Sequence, residues 1–426
     1  MNKTDVLDLV GIGIGPFNLS LAALIHPLEG IRAKFLDMKP SFSWHPELIF
    51  DGAAMQTSYL KDLVTPVDPT SSFSFLNYIT KKGQFYHFLN TNRGAITRIE
   101  FQDYLSWVSH ELEEILCFDR AVSNVSLDND HFLIDNGFEK IHAKNICIAS
   151  GPERNIPNCV KGLIGSKVFH AKSKEIEKVD LSNKRVLIVG GGQTGVETFR
   201  NILKGRWGSA KDVHLISGRE NLRPLDEGAF TNEIFTPEFV EGFHSLEQNI
   251  KDNYTKSLLL TSDGNTPNYL QELYNELYMD RFYLKRFPKY RISPMRWLSE
   301  VHDHGQSYSA GIKNLFDGKN EIYEADIIIL ATGFTSRLPD YLNGIKDLID
   351  FDDQGRLIID ENYKIKGRFN GCHIYAMNYS RHGHGVADPQ TSLMSWRSAK
   401  IINNLKEEKI YLQNESQSSF INFFNS

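Results

Sequence analysis

At 426 residues the chain exceeds one ordinary domain and has room for two or three, each with its own core. Its 47 basic and 53 acidic side chains give a formal charge of −6, which leaves no electrostatic footprint for a nucleic acid or an anionic membrane surface. No segment approaches the roughly 20 apolar residues of a membrane helix, the start carries no basic, apolar and small-residue leader pattern, and Cys117, Cys147, Cys159 and Cys372 lack CxxC spacing. The expectation is small-molecule chemistry in a reducing cytoplasm, without a metal site or a disulfide framework.

In chain order, an apolar strand pattern at Val6 to Val10 runs into GIGIGPFN, and Leu19 to Leu24 supply the apolar face of a helix. Gly11, Gly13 and Gly15 between a strand and a helix suit a dinucleotide pyrophosphate, because glycines admit a tight turn and the helix start offers oriented N–H groups. Pro16 replaces the third glycine of the strict fingerprint and fits a first helical turn. A second strand, Ala33 to Leu36, ends at Asp37, where an acid accepts hydrogen bonds from an adenosine ribose. A strand over Lys144 to Ala149 ends in Ser150 and Gly151.

The design then recurs. A strand at Val186 to Val189 leads into GGGQTG, with Gly190, Gly192 and Gly195 in full G-x-G-x-x-G spacing and Gln193 and Thr194 at the start of a helix running through Glu197 to Leu203. The next strand, Val213 to Ser217, is followed by Arg219 and Arg223 rather than by an acid, and a guanidinium suits the 2′-phosphate of NADPH. A polar and aromatic stretch from about Thr236 to Tyr283 has helical patterning, and a strand at Asp326 to Leu330 ends in Ala331, Thr332 and Gly333. A polar end begins at about Gln413. Strands alternating with helices predict parallel, doubly wound sheets: an α/β protein with two dinucleotide-binding, Rossmann-like domains and a small helical region. Disulfide reductases share this layout but need a redox cysteine pair, which this sequence lacks.

Asp326, Leu330, Ala331, Thr332, Gly333, Phe334 and Pro339 fit a D-x3-L-ATG-[YF]-x4-P pattern, and here the chain resembles the N-hydroxylating class B flavin monooxygenases. The segments Phe42 to Leu48, Met55 to Ile79, Asn232 to Phe243 and His384 to Ala399 resemble the bacterial lysine, ornithine and diamine N-monooxygenases of hydroxamate siderophore pathways. The likeness is greatest to the lysine N-hydroxylases of the aerobactin pathway and their diamine-hydroxylating relatives. Thr261 to Thr266, TSDGNT, stands where ornithine enzymes carry asparagine followed by tyrosine and serine, which places the chain nearer the lysine and diamine branch.

The resemblance implies that NADPH reduces FAD, that oxygen adds at the flavin C4a, and that the hydroperoxide transfers its distal oxygen to an unprotonated amine. No side chain is then required as a catalyst, because the flavin hydroperoxide is the oxidant. Carried onto this sequence, the resemblance puts Trp44, His45 and Gln56 beside the flavin and Lys61 on a substrate carboxylate. It puts Asn232 at a second substrate contact and Thr261 among the substrate-binding residues. It further implies an FAD domain from 1–160 and 335–426, an NADPH domain from 161–222 and 290–334, and a substrate-binding helical region at 223–289. The expected reaction is N-hydroxylation of L-lysine, cadaverine or putrescine by oxygen. L-ornithine hydroxylation, an NADPH oxidase without hydroxylation and a non-catalytic nucleotide-binding regulator stand as alternatives. Family members are often homotetramers, an assembly that no feature of this sequence fixes.

Overall fold

The computed structural model describes residues 6–412 and 421–424. The polar end expected from about Gln413 therefore lies, apart from those last four, outside the described residues.

The glycine-loop strand Val6–Ile12 occupies the middle of a seven-stranded sheet, between Ala33–Leu36 and Lys140–Ile148, both parallel to it. Leu116–Cys117 extends one edge, and the late strand His373–Ala376 returns to pair with Lys140–Ile148. Successive side chains point to opposite faces, so Leu9, Phe35, Cys147 and Tyr375 enter one core while Val10, Leu36, Ile146 and Ile374 enter the other. The helix Pro16–Ile25 is buried along its whole length and packs on the late helix Met394–Lys406. This first unit thus draws on both ends of the chain.

A five-stranded, wholly parallel sheet forms the second unit, in the order Lys289–Pro294, Asp212–Ser217, Arg185–Val189, Ile327–Leu330, Val168–His170. Its strands also divide their residues by parity. Val186, Ile188, Val213 and Ile329 face the helix Gln193–Leu203 and Leu273 of Pro267–Met279. Leu187, Ile216, Ile328 and Leu330 face Ala310, Ile312 and Tyr323.

The sequence-based expectation of parallel, doubly wound sheets holds with two modifications. The first sheet carries an antiparallel hairpin, Asn124–Asp128 with His131–Asp135, on the first half of Lys140–Ile148. One face of the second sheet is covered by an antiparallel three-stranded meander, Arg296–Asp303, Tyr308–Asn314 and Asn320–Ala325, instead of helices. Alternating apolar residues in these strands bury one side against the parallel sheet, as a covering helix would.

The helical stretch resolves into Pro237–His244, Gln248–Ser257, Leu260–Asp263 and Pro267–Met279, followed by a π-helical turn at Asp280–Leu284. Phe239, Val240 and Phe243 join the core of the first unit, whereas Leu273 joins that of the second. The stretch therefore bridges both. The two passages of the chain between the sheets, Glu153–Arg154 and Phe334–Thr335, pair with each other as a short antiparallel ribbon.

Candidate active site

Both glycine loops lean on the end of a neighbouring strand. A Cβ on Gly13 would lie 2.6 Å from the Cα of Ser150, and one on Gly190 would lie 2.1 Å from the carbonyl oxygen of Ala331. Both also have positive φ, +90° and +125°. Only glycine satisfies both demands. This explains the Ala149-Ser150-Gly151 and Ala331-Thr332-Gly333 turns: each is the buttress behind one glycine loop. Gly195 closes the helix onto the strand, since a Cβ there would meet Gly190 O at 1.8 Å.

The residues that open the two helices differ from these. A Cβ on Gly15 or on Gly192 would meet nothing within 4 Å, and each precedes a helix whose first N–H groups lack intrahelical partners. Backbone packed tightly behind and approachable in front is the arrangement a pyrophosphate needs, so both loops fit a dinucleotide.

Asp37 is buried, and its carboxylate accepts from the backbone N–H of Ile14 at 2.7 Å and of Lys39 at 2.8 Å. It thereby ties the first glycine loop to the adjacent strand. Asn18, which sequence reasoning passed over, does the same from the helix: its amide donates to Gly13 O at 2.9 Å and to Cys147 O at 3.2 Å. Its signal was an amide side chain on a helix whose only other polar residue is Ser20.

Trp44 packs edge-on against Phe101 at 5.0 Å and beside His45 at 5.1 Å. His45 has left-handed backbone (φ 49°) and a buried Nδ1 without a hydrogen-bond partner. Burial, reinforced by Lys172, Arg98 and Lys39, pushes its pKa down to about 3, so the ring is neutral at ordinary pH. Across the junction, His170 is held to about 4 by burial and Lys172 to about 8, again mainly by burial.

A cleft of about 840 Å³ opens on the second glycine loop. Gly190, Gly192, Gln193, Thr194, Arg219, Ala331, Thr332 and Gly333 line it, with Gln56 reaching in from the first unit. Arg219 is fixed by a 2.8 Å bond from its guanidinium to Asp263 O. Arg223 does not line the cleft and pairs with Glu220 at 3.3 Å. Among the lining residues that escaped sequence reasoning are Arg296 and Trp297, the latter 62% exposed and lying against Gly218. They follow the strand Lys289–Pro294, and only the pairing of that strand with Asp212–Ser217 brings them beside Arg219.

Lys61 lines a separate, small cavity with Met55, Tyr59, Phe101 and Tyr104. Burial lowers its pKa, Glu233 opposes that shift, and its ammonium has no hydrogen bond or ion pair among the described residues. Asp62 beside it is structural: its carboxylate accepts from the N–H of Val64, Thr65 and Phe75 at 2.7 to 2.9 Å. Asn232 is exposed on the turn that carries Glu233. Thr261 is buried, with its hydroxyl donated to Leu258 O at 2.6 Å, and the residues after it, Ser262 to Gly264, line the larger cleft. Among the described residues no group of His, Cys, Asp or Glu is arranged to hold a metal, and no helix is long and apolar enough to cross a membrane.

The family model described as L-lysine 6-monooxygenase/L-ornithine 5-monooxygenase matches residues 5–336. The L-lysine N6-monooxygenase of Escherichia coli is 38% identical over 411 residues, covering 95% of this chain and 96% of that protein. The FAD-bound cadaverine monooxygenase of the desferrioxamine pathway from Erwinia amylovora superimposes with a TM-score of 0.91 at 26% identity, over 99% of each chain. An ornithine N-hydroxylase from Kutzneria, solved with reduced FAD, NADP⁺ and L-ornithine, gives a TM-score of 0.88 at 25% identity, over 94% of this chain and 99% of that one. With its paired glycine loops, their buttressing turns and this match along nearly its whole length, the chain belongs to the L-lysine 6-monooxygenase/L-ornithine 5-monooxygenase family of flavin-dependent N-hydroxylating enzymes.

Proposed function

We propose that this protein hydroxylates the terminal primary amine of L-lysine or of a short diamine, consuming NADPH and oxygen, and so supplies an N-hydroxyamine for siderophore assembly. Bound FAD and NADPH supply the reducing equivalents and the oxygen-activating chemistry. The first glycine loop, with Pro16, Asp37, Trp44 and His45, holds FAD. The second, with Gln193, Thr194 and Arg219, holds NADPH. The division into an FAD domain (1–160 and 335–426), an NADPH domain (161–222 and 290–334) and a substrate region (223–289) follows that assignment. Gln56, which lines the NADPH cleft from the first unit, belongs at the meeting point. Neutral His45 adds no positive charge there and leaves a ring nitrogen free.

Lys61 is the observation that favours the amino acid. A half-buried ammonium with no partner among the described residues suits a carboxylate, and lysine offers one where cadaverine and putrescine offer a second cation. The E. coli lysine enzyme, at 38% identity, supports the same choice. The reacting amine must lose its proton before oxygen transfer, which a water-poor cavity favours. The protein acts as a soluble, cytoplasmic enzyme, and a homotetramer is its proposed assembly.

Incubation with FAD, NADPH and L-lysine, L-ornithine, cadaverine or putrescine, followed by mass spectrometry, tests this. Selective formation of N6-hydroxylysine is expected. A diamine product alone would move the substrate to that branch, and an L-ornithine product would overturn the reading of TSDGNT. A protein that binds no flavin would act as a regulator instead.

A further inference from the structure

Two units joined only by the ribbon at Glu153–Arg154 would be free to rock. A buried polar chain spans them elsewhere. Arg98, the first residue of the helix Arg98–Glu111, is held by the 2.8 Å bond from its backbone N–H to Ala53 O. Its Nη1 donates to Leu48 O at 3.0 Å and to Glu197 Oε2 at 2.9 Å. Glu197 stands on the second glycine-loop helix with its side chain only 1% exposed, and its other oxygen accepts from Gln193 Nε2 at 2.7 Å. Gln193 Oε1 in turn accepts the N–H of Thr266 at 2.7 Å, at the start of Pro267–Met279.

The apolar packing has the same direction. Leu48, Phe50 and Ala53, from the loop that carries Trp44 and His45, are buried among Val186, Val196 and Phe199 of the second unit. Phe50 meets Trp207 edge-on at 5.9 Å.

We propose that Arg98 and Glu197 are positioning residues that hold Gln193 and the start of the NADPH helix in register with the loop 42–53, and thereby keep NADP⁺ seated against the flavin unit. This rests on the monooxygenase reading above. A carboxylate shared between a guanidinium and an amide in a dry site has one arrangement, and removing either partner leaves a buried group uncompensated. Displacement of the helix start by about 1 Å is enough to spoil a reacting geometry.

The holoenzyme, with Arg98→Met, Glu197→Gln and Arg98→Lys variants, tests this through two readouts. One is NADP⁺ affinity from titration of the flavin spectrum, and the other is the share of NADPH that emerges as N-hydroxyamine instead of peroxide. Arg98→Met and Glu197→Gln are expected to weaken NADP⁺ about tenfold, within the usual span of coupling between sites, and to divert NADPH to peroxide while flavin content stays constant. Arg98→Lys should recover most of both losses. NADP⁺ affinity and partition within about twofold of the parent in Glu197→Gln, an isosteric change, would overturn the proposal even if Arg98→Met fails to fold. If the parent enzyme hydroxylates no amine, the monooxygenase reading fails, and NADP⁺ affinity alone then decides on the pair.

Discussion

At Lys61 a half-buried ammonium has no partner among the described residues, and Glu233 is the acid that acts on it. If it grips a carboxylate, Lys61→Ala removes one charge-assisted bond, about 1.5 to 3 kcal/mol, so KM for L-lysine should rise about tenfold to a hundredfold with kcat changed less. Steady-state rates of hydroxylamine formation measure this, and an unchanged KM would free Lys61 from that role. The sequence offers Arg219, with Arg223 as the alternative, for the 2′-phosphate, and the cleft separates them. Arg219→Ala is therefore expected to narrow the preference for NADPH over NADH about tenfold or more, and Arg223→Ala to leave it nearly intact. Parallel NADPH and NADH oxidation assays compare the two. Arg296 and Trp297 were illegible because nothing local marks them; strand pairing alone places them at the cleft.

At the scale of elements, the glycine loops were legible because their demands are local: strand, turn and helix start fall within a dozen or so residues. The strand ends at Ala149 and Leu330 were legible for the same reason, although their buttressing of the glycines was not. The second loop allows its two functions to be separated. Gly195→Ala forces a Cβ against Gly190 O and should lower the melting temperature, with about 1 to 3 kcal/mol lost to overpacking. Gly192→Ala meets nothing within 4 Å and has an ordinary φ of −82°, so it should melt like the parent and yet raise KM for NADPH. Scanning calorimetry beside NADPH kinetics makes the comparison, and a stable, kinetically normal Gly192→Ala would detach that helix start from the cofactor. The antiparallel meander over the second sheet escaped prediction because half-buried alternation there is weak, with exposed Trp297 and Ile322 interrupting it.

For the whole molecule, the least legible feature is how the units sit together. Arg98 and Glu197 are 99 positions apart, and their pairing depends on a fold already formed. The same folding buries His170 and His214 as neutral rings, each pushed from the ordinary 6.5 to about 4 by desolvation. Between about pH 4 and 6.5 the unfolded chain binds more protons at these sites than the folded one, so stability should rise with pH across that window and fall on acidification. Thermal melts from neutral to mildly acidic pH should show this slope, and His214→Gln should flatten it; an equal slope in both would remove His214 from the account.

The most direct test of the function is the origin of the oxygen in the product. The holoenzyme turning over NADPH and L-lysine under ¹⁸O₂ should give N6-hydroxylysine carrying one labelled oxygen, with unlabelled product when the label is in water instead. NADPH consumed with matching peroxide, and lysine recovered unchanged, would contradict N-hydroxylation of lysine by this protein.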